Sequence, residues 1–133
     1  LIDYGLALKY ITNINDKNTH IDIEYNIDII GSLSFCSINM HKGIRPSRRD
    51  DIESLCYIYL YLLIDKLPWK NICISDVKEK NRLLIEMKER IFELVVNKTN
   101  EILSLFNILK AIRACNFKDK PQYTHFNNFL LDK

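Results

Sequence analysis

A chain of 133 residues that is 47% hydrophobic and 27% charged has the composition of a globular domain with one core, which argues against intrinsic disorder. Its 19 Lys and Arg are nearly balanced by 17 Asp and Glu, so a formal net charge of +2 excludes the strongly basic footprint of a nucleic-acid binder. The most apolar stretch, Leu55 to Ile64, is too short and too rich in tyrosine to span a bilayer, and the start shows no basic-then-apolar leader. No nucleic-acid or membrane partner is therefore expected, and the location expected is intracellular, cytoplasmic or nuclear.

In chain order, Leu1 to Ile11 reads as a short strand and turn around Asp3-Tyr4-Gly5. Thr12 to Tyr25 is polar, asparagine-rich and without sustained period, which predicts a mobile loop. Gly31 to Gly43 mixes small, hydroxyl and apolar residues with no helical stripe, as in an irregular segment held by specific contacts. At Ser47-Arg48-Arg49-Asp50 a capping-box-like start, with Asp50 and Asp51 in the first turn, predicts a helix running to about Ile64. Its apolar residues cover nearly the whole circumference, so it is expected to be buried on all sides.

Pro68 biases Leu67 away from helical geometry and ends that helix within Asp65-Lys66-Leu67-Pro68-Trp69. A second helix is predicted from Asp76, with Glu79 at the third helical position, through Leu94, with Glu86 and Arg90 paired at helical spacing. A third is predicted over Asn100 to Ala114, and a short fourth around Thr124 to Leu131 after the Pro121 turn. The fold class expected is mainly α. Cys36, Cys56, Cys73 and Cys115 are widely spaced, as are His20, His41 and His125, so the thiols are expected to be reduced core residues and no His/Cys metal site is predicted.

Two blocks carry a resemblance. One is Leu1-Ile2-Asp3-Tyr4-Gly5-Leu6-Ala7. The other runs from Gly31-Ser32 through Ser37-Ile38-Asn39-Met40-His41-Lys42-Gly43 to Ser47-Arg48-Arg49-Asp50-Asp51-Ile52-Glu53-Ser54-Leu55, with Leu67-Pro68-Trp69 beyond it. Together with Asn116 to Tyr123 they are similar to the C-terminal portion of protein kinase domains of the casein kinase I and vaccinia-related kinase group. Ser37-Ile38-Asn39 stands where most protein kinases have Ala-Pro-Glu, and Tyr4 tilts toward the vaccinia-related branch. The likeness is weakest over Thr12 to Ile30 and Asn71 to Asn100.

The resemblance implies a partial kinase-like C-terminal lobe, with residues 1–46 forming the magnesium loop and activation segment and residues 47–133 the helices. Asp3 would hold the magnesium that bridges the ATP phosphates, with Gly5 giving the loop its freedom. Read alone, Asp3-Tyr4-Gly5 is better taken as an ordinary turn. Gly31 and Ser32 would form the loop beside the substrate hydroxyl, where Ser32 replaces the group's threonine. Ser34 stands where casein kinase I itself has a phosphate-reading arginine, which weakens any preference for pre-phosphorylated substrates. Lys42, Arg45, Arg48 and Arg49 are either an attraction for acidic sequences or a solvated basic face. Asp51 would be the buried structural aspartate at the start of the central helix, Trp69 a structural anchor, and Cys56 a side chain where the group has glycine.

The glycine-rich loop, the ATP-contacting lysine, its glutamate and the His-Arg-Asp loop all precede the magnesium aspartate in kinase order, and none occurs in these 133 residues. The chain alone is therefore expected to bind no Mg-ATP and to transfer no phosphate, with part of the Arg48 to Ile64 helix left bare. Because Leu1 opens directly on a motif, a fragment is expected. Its partners would be a protein substrate or a complementing kinase segment. The alternatives are a degenerate kinase remnant acting as an interaction module and, further off, an unrelated helical adaptor.

Overall fold

The computed structural model describes residues 5–14 and 17–131. The described chain is mainly helical: a β-hairpin of β1 (Ile11–Ile14) and β2 (Lys17–His20) precedes α1 (Ile38–His41), α2 (Arg48–Ile64), α3 (Val77–Glu89), α4 (Ile91–Leu94), α5 (Asn100–Arg113) and α6 (Tyr123–Leu131). The core lies between α2 and α5 and is closed by α3, α4 and the Leu67–Trp69 turn.

Helix α2 starts where its sequence directs it. Ser47 is extended, and its backbone N–H donates to Asp50 Oδ2 at 2.8 Å, so the N3 carboxylate satisfies an otherwise orphaned donor. It ends at Asp65, which takes the left-handed conformation (φ 61°) and returns its N–H to Tyr61 O at 2.8 Å. Cys56, Tyr57 and Leu60 face α5 and are almost fully buried, each large apolar side chain contributing roughly 1.5–3 kcal/mol by leaving water.

Burial of α2 on all sides is not observed. Leu55, Ile58 and Leu62 are 42%, 40% and 70% exposed and form a ridge at helical spacing on the face away from α5. The composition could not separate this face from the buried one, because apolar side chains occupy both.

Helix α3 begins at an Asp76 cap whose carboxylate accepts from Glu79 N at 2.7 Å. The predicted single helix to Leu94 is interrupted at Arg90, and the new turn α4 aims Ile91, which has no exposed surface, into the core. Arg90 Nη1 lies 3.9 Å from Glu86 Oε1, the pairing read from the sequence. Helix α5 is capped by Thr99, whose hydroxyl accepts from Ile102 N at 3.4 Å.

The predicted loop at Thr12 to Tyr25 contains an antiparallel pair instead, with Ile11 opposite His20 and Thr12 opposite Thr19. The hairpin lacks an apolar face of its own, which is why periodicity missed it; its ends are tied to the helices. Arg48 stacks over Tyr10 (4.6 Å), His20 packs edge-on to Phe117 (5.2 Å), and Lys118 Nζ pairs with Asp22 at 2.7 Å. Of the cysteines, Cys36 and Cys56 are buried, but Cys73 is exposed and Cys115 half-buried, so the expectation of four core thiols holds for two. All four are free.

Candidate functional site

Leu6, from the first block, and residues of the second meet at the N-terminal end of α2. Leu6, which follows Asp3-Tyr4-Gly5, and Gly31 line one cavity of about 180 Å³ together with Ser37, Asp50, Asp51 and Ser54. Asp3 itself lies outside the described residues. Gly31 has φ +90° with open space where a Cβ would stand, so strain, not crowding, requires glycine there. Ser32 is exposed on the adjoining turn, where its carbonyl accepts from Phe35 N (3.0 Å) and Cys36 N (2.9 Å).

The buried aspartate at this end is Asp50 and not Asp51. Asp50 Oδ1 accepts from Ser37 Oγ at 2.7 Å and Asn39 Nδ2 at 3.0 Å, while Oδ2 takes the Ser47 N–H. Ser37 in turn caps α1 by accepting from Met40 N at 3.1 Å. Ser37-Ile38-Asn39 is thus fixed to α2 through a carboxylate whose acceptor capacity is filled, which makes Asp50 a poor cation ligand. Asp51 is exposed at the cavity and has no side-chain donor among the described residues. Partial desolvation there, followed by the charge of Asp50, raises its pKa.

A second polar cluster holds the same loop from the other side. Lys88 has no exposed surface, and its Nζ donates to Leu33 O (2.9 Å), Cys36 O (2.7 Å) and His41 Nε2 (2.9 Å) beneath the rings of Tyr57 and Trp69. Trp69 Nε1 adds a bond to Ser34 O at 2.9 Å, which pins the segment after Ser32. Asn81 brackets His41, donating from Nδ2 to His41 O (2.8 Å) and accepting at Oδ1 from Nδ1–H (2.5 Å). Those partners fix a neutral imidazole with Nε2 as acceptor.

Cys36 Sγ lies 3.3 Å from His41 Nε2, so Cys36, His41 and Asn81 have the connectivity of a cysteine-nucleophile triad. The electrostatics run the wrong way for that chemistry. Burial raises the Cys36 thiol and, with the Lys88 charge, pushes His41 down to about 4, whereas an active pair needs a thiolate beside an imidazolium. Lys88 also occupies the lone pair a base would use, and its own pKa is pushed down to about 8 by burial. This cluster is structural.

A further network joins α2 to α5. Glu53 Oε1 accepts from Tyr57 OH (2.6 Å) and Arg113 Nε (3.3 Å), and Arg113 Nη2 donates to Tyr57 OH (2.7 Å) and Lys88 O (2.9 Å). The proposed basic face is largely spent internally. Lys42 pairs with Glu89, Arg45 with Glu24, and Arg48 and Arg49 donate to Lys118 O and Cys115 O. Among the described residues no group of three or more His, Cys, Asp or Glu is placed to hold a metal ion, and no helix is long and apolar enough to cross a membrane.

Sequence reading found Asp50 only as a capping-box acid and missed its bonds to Ser37 and Asn39, and it missed the roles of Lys88, His41 and Asn81. The signal for Lys88 was present: Leu84, Lys88, Ile91 and Val95 recur at helical spacing, which places the lysine on the buried face. No family model matches this sequence.

Proposed function

We propose that this chain is the substrate-facing, C-terminal portion of a Ser/Thr protein kinase similar to the casein kinase I and vaccinia-related group. The observation that carries the reading is the convergence of Leu6, Gly31 and Asp51 on one cavity at the start of α2, although they come from separate parts of the sequence. Chance likeness in two short motifs gives no reason for them to meet. The exposed ridge of Leu55, Ile58 and Leu62 adds support, since a central kinase helix carries further segments on that face.

In this reading Asp3 is a ligand to magnesium, which when bound with ATP neutralises the phosphates during transfer. Hard-cation chemistry suits a carboxylate there, and the saturated Asp50 leaves that task to Asp3. The chain's own residues do the rest: Gly31 and Ser32 present the edge where an acceptor peptide lies, and Asp50, Lys88 and Trp69 hold that edge rigid. Asp51, exposed and lacking a side-chain donor, is left to accept amides of the segment carrying the catalytic base.

The test is reconstitution with an N-terminal segment of a casein kinase I-type domain ending at its catalytic loop. Phosphate transfer to casein is expected only when both pieces are present, and Asp3→Asn should abolish it while leaving association intact. Absence of any association would overturn the reading. A second reading, an interaction module without chemistry, is favoured by the same bare ridge, and association without transfer would select it.

A further inference from the structure

A separate cavity of about 310 Å³ opens between α2, α5 and the start of α6, apart from the cavity that Leu6, Gly31 and Asp51 line. Its floor is aliphatic, built by Ile52, Ile108 and Ile112, with Phe126 as an aromatic wall. These four are buried residues, each retaining a few per cent of exposed surface. Gln122, Tyr123 and His125, all exposed residues, add polar groups to its lining. No Lys, Arg, Asp or Glu lines it.

The walls are held in place from outside. Arg49 Nη1 donates to Cys115 O at 2.7 Å, Arg48 Nη2 to Lys118 O at 2.8 Å, and Asp119 Oδ2 accepts from Asn116 N at 2.7 Å. The chain leading from α5 into the Pro121 turn is therefore fixed before any ligand arrives, and the cavity has the size, apolar lining and few polar groups of a small-molecule site.

We propose that this cavity binds a small, uncharged, ring-containing molecule with one hydrogen-bonding group, the ring seated on the isoleucine floor beside Phe126 and the polar group at the Gln122–His125 rim. The absence of Lys, Arg, Asp and Glu from the lining selects against ions, because a charge on the isoleucine floor would lose its hydration without a partner there. The site is independent of the kinase reading and stands or falls separately from it.

Naphthol is a suitable probe, followed by NMR of isoleucine methyl groups in the whole chain. Saturable shifts are expected at Ile52, Ile108 and Ile112, with none at Ile58 on the exposed α2 ridge. Naphthoate, the anionic analogue, should bind about tenfold more weakly or worse. Ala111→Leu at the cavity wall should weaken naphthol by about tenfold or more, because an added side chain displaces what the space would hold. Gln122→Trp, at an exposed position on the rim, should give the same loss and covers the case in which the first variant does not fold. Shifts that fail to saturate, that spread to Ile58, that are equal for naphthoate, or that survive these substitutions would each overturn the proposal.

Discussion

At the residue scale, the consequence of burying His41 beside Lys88 is acid sensitivity. The folded imidazole is held at about 4, below its ordinary value of 6.5, so the unfolded chain takes up a proton first as the pH falls. The stabilisation is fully present above pH 6.5 and is lost as the pH drops from there toward 4. Urea unfolding of wild type and His41→Gln across that range measures it: the wild-type slope should exceed the variant's, and parallel curves would contradict the assignment. This residue was legible only as a scattered histidine, since the lysine and asparagine that define its state lie about forty or more positions away in the chain.

At the scale of elements, α2 has two faces of the same composition and opposite cost. Leu60, 1% exposed against α5, should lose about 2–5 kcal/mol on conversion to alanine. Polar replacements at Leu55, Ile58 and Leu62 should shift stability by only about 0.5 kcal/mol each, as surface positions do, while reducing self-association in light scattering. Equal destabilisation at both faces would mean that the ridge is covered in the free chain. Helix α2 stops at the left-handed Asp65, ahead of Pro68, and the starts of α2 and α3 followed from Ser47 and Asp76, which act within a few residues of themselves. The break at Arg90 did not, because it answers to where Ile91 must go in the core.

At the scale of the whole molecule, the hairpin and its flanks join the helical body through Arg48 on Tyr10, His20 on Phe117, Lys118 with Asp22 and Arg45 with Glu24, and through backbone bonds from Arg45 N to Glu24 O (2.9 Å) and Ile27 N to Gly43 O (3.0 Å). Exposed ion pairs of this kind contribute little, and the aromatic contact of His20 on Phe117 is the one that reaches the strands themselves. Phe117→Ala should accelerate hydrogen exchange across β1 and β2 while α2 and α5 amides keep their protection. Loss of protection throughout would show that the hairpin and the body unfold as one unit.

The sequence by itself determined the helical class and the helix starts at Ser47 and Asp76, with a stop ahead of Pro68. These are set by local chemistry: a carboxylate three positions after a serine, a proline without an N–H, an apolar residue each helical turn. Which aspartate is buried, which face of α2 meets solvent, and that Lys88 rather than a backbone amide holds the carbonyls of Leu33 and Cys36 were decided only by the tertiary structure. Desolvation and pairing depend on what other segments bring into contact, and a linear pattern of residue types does not contain that information.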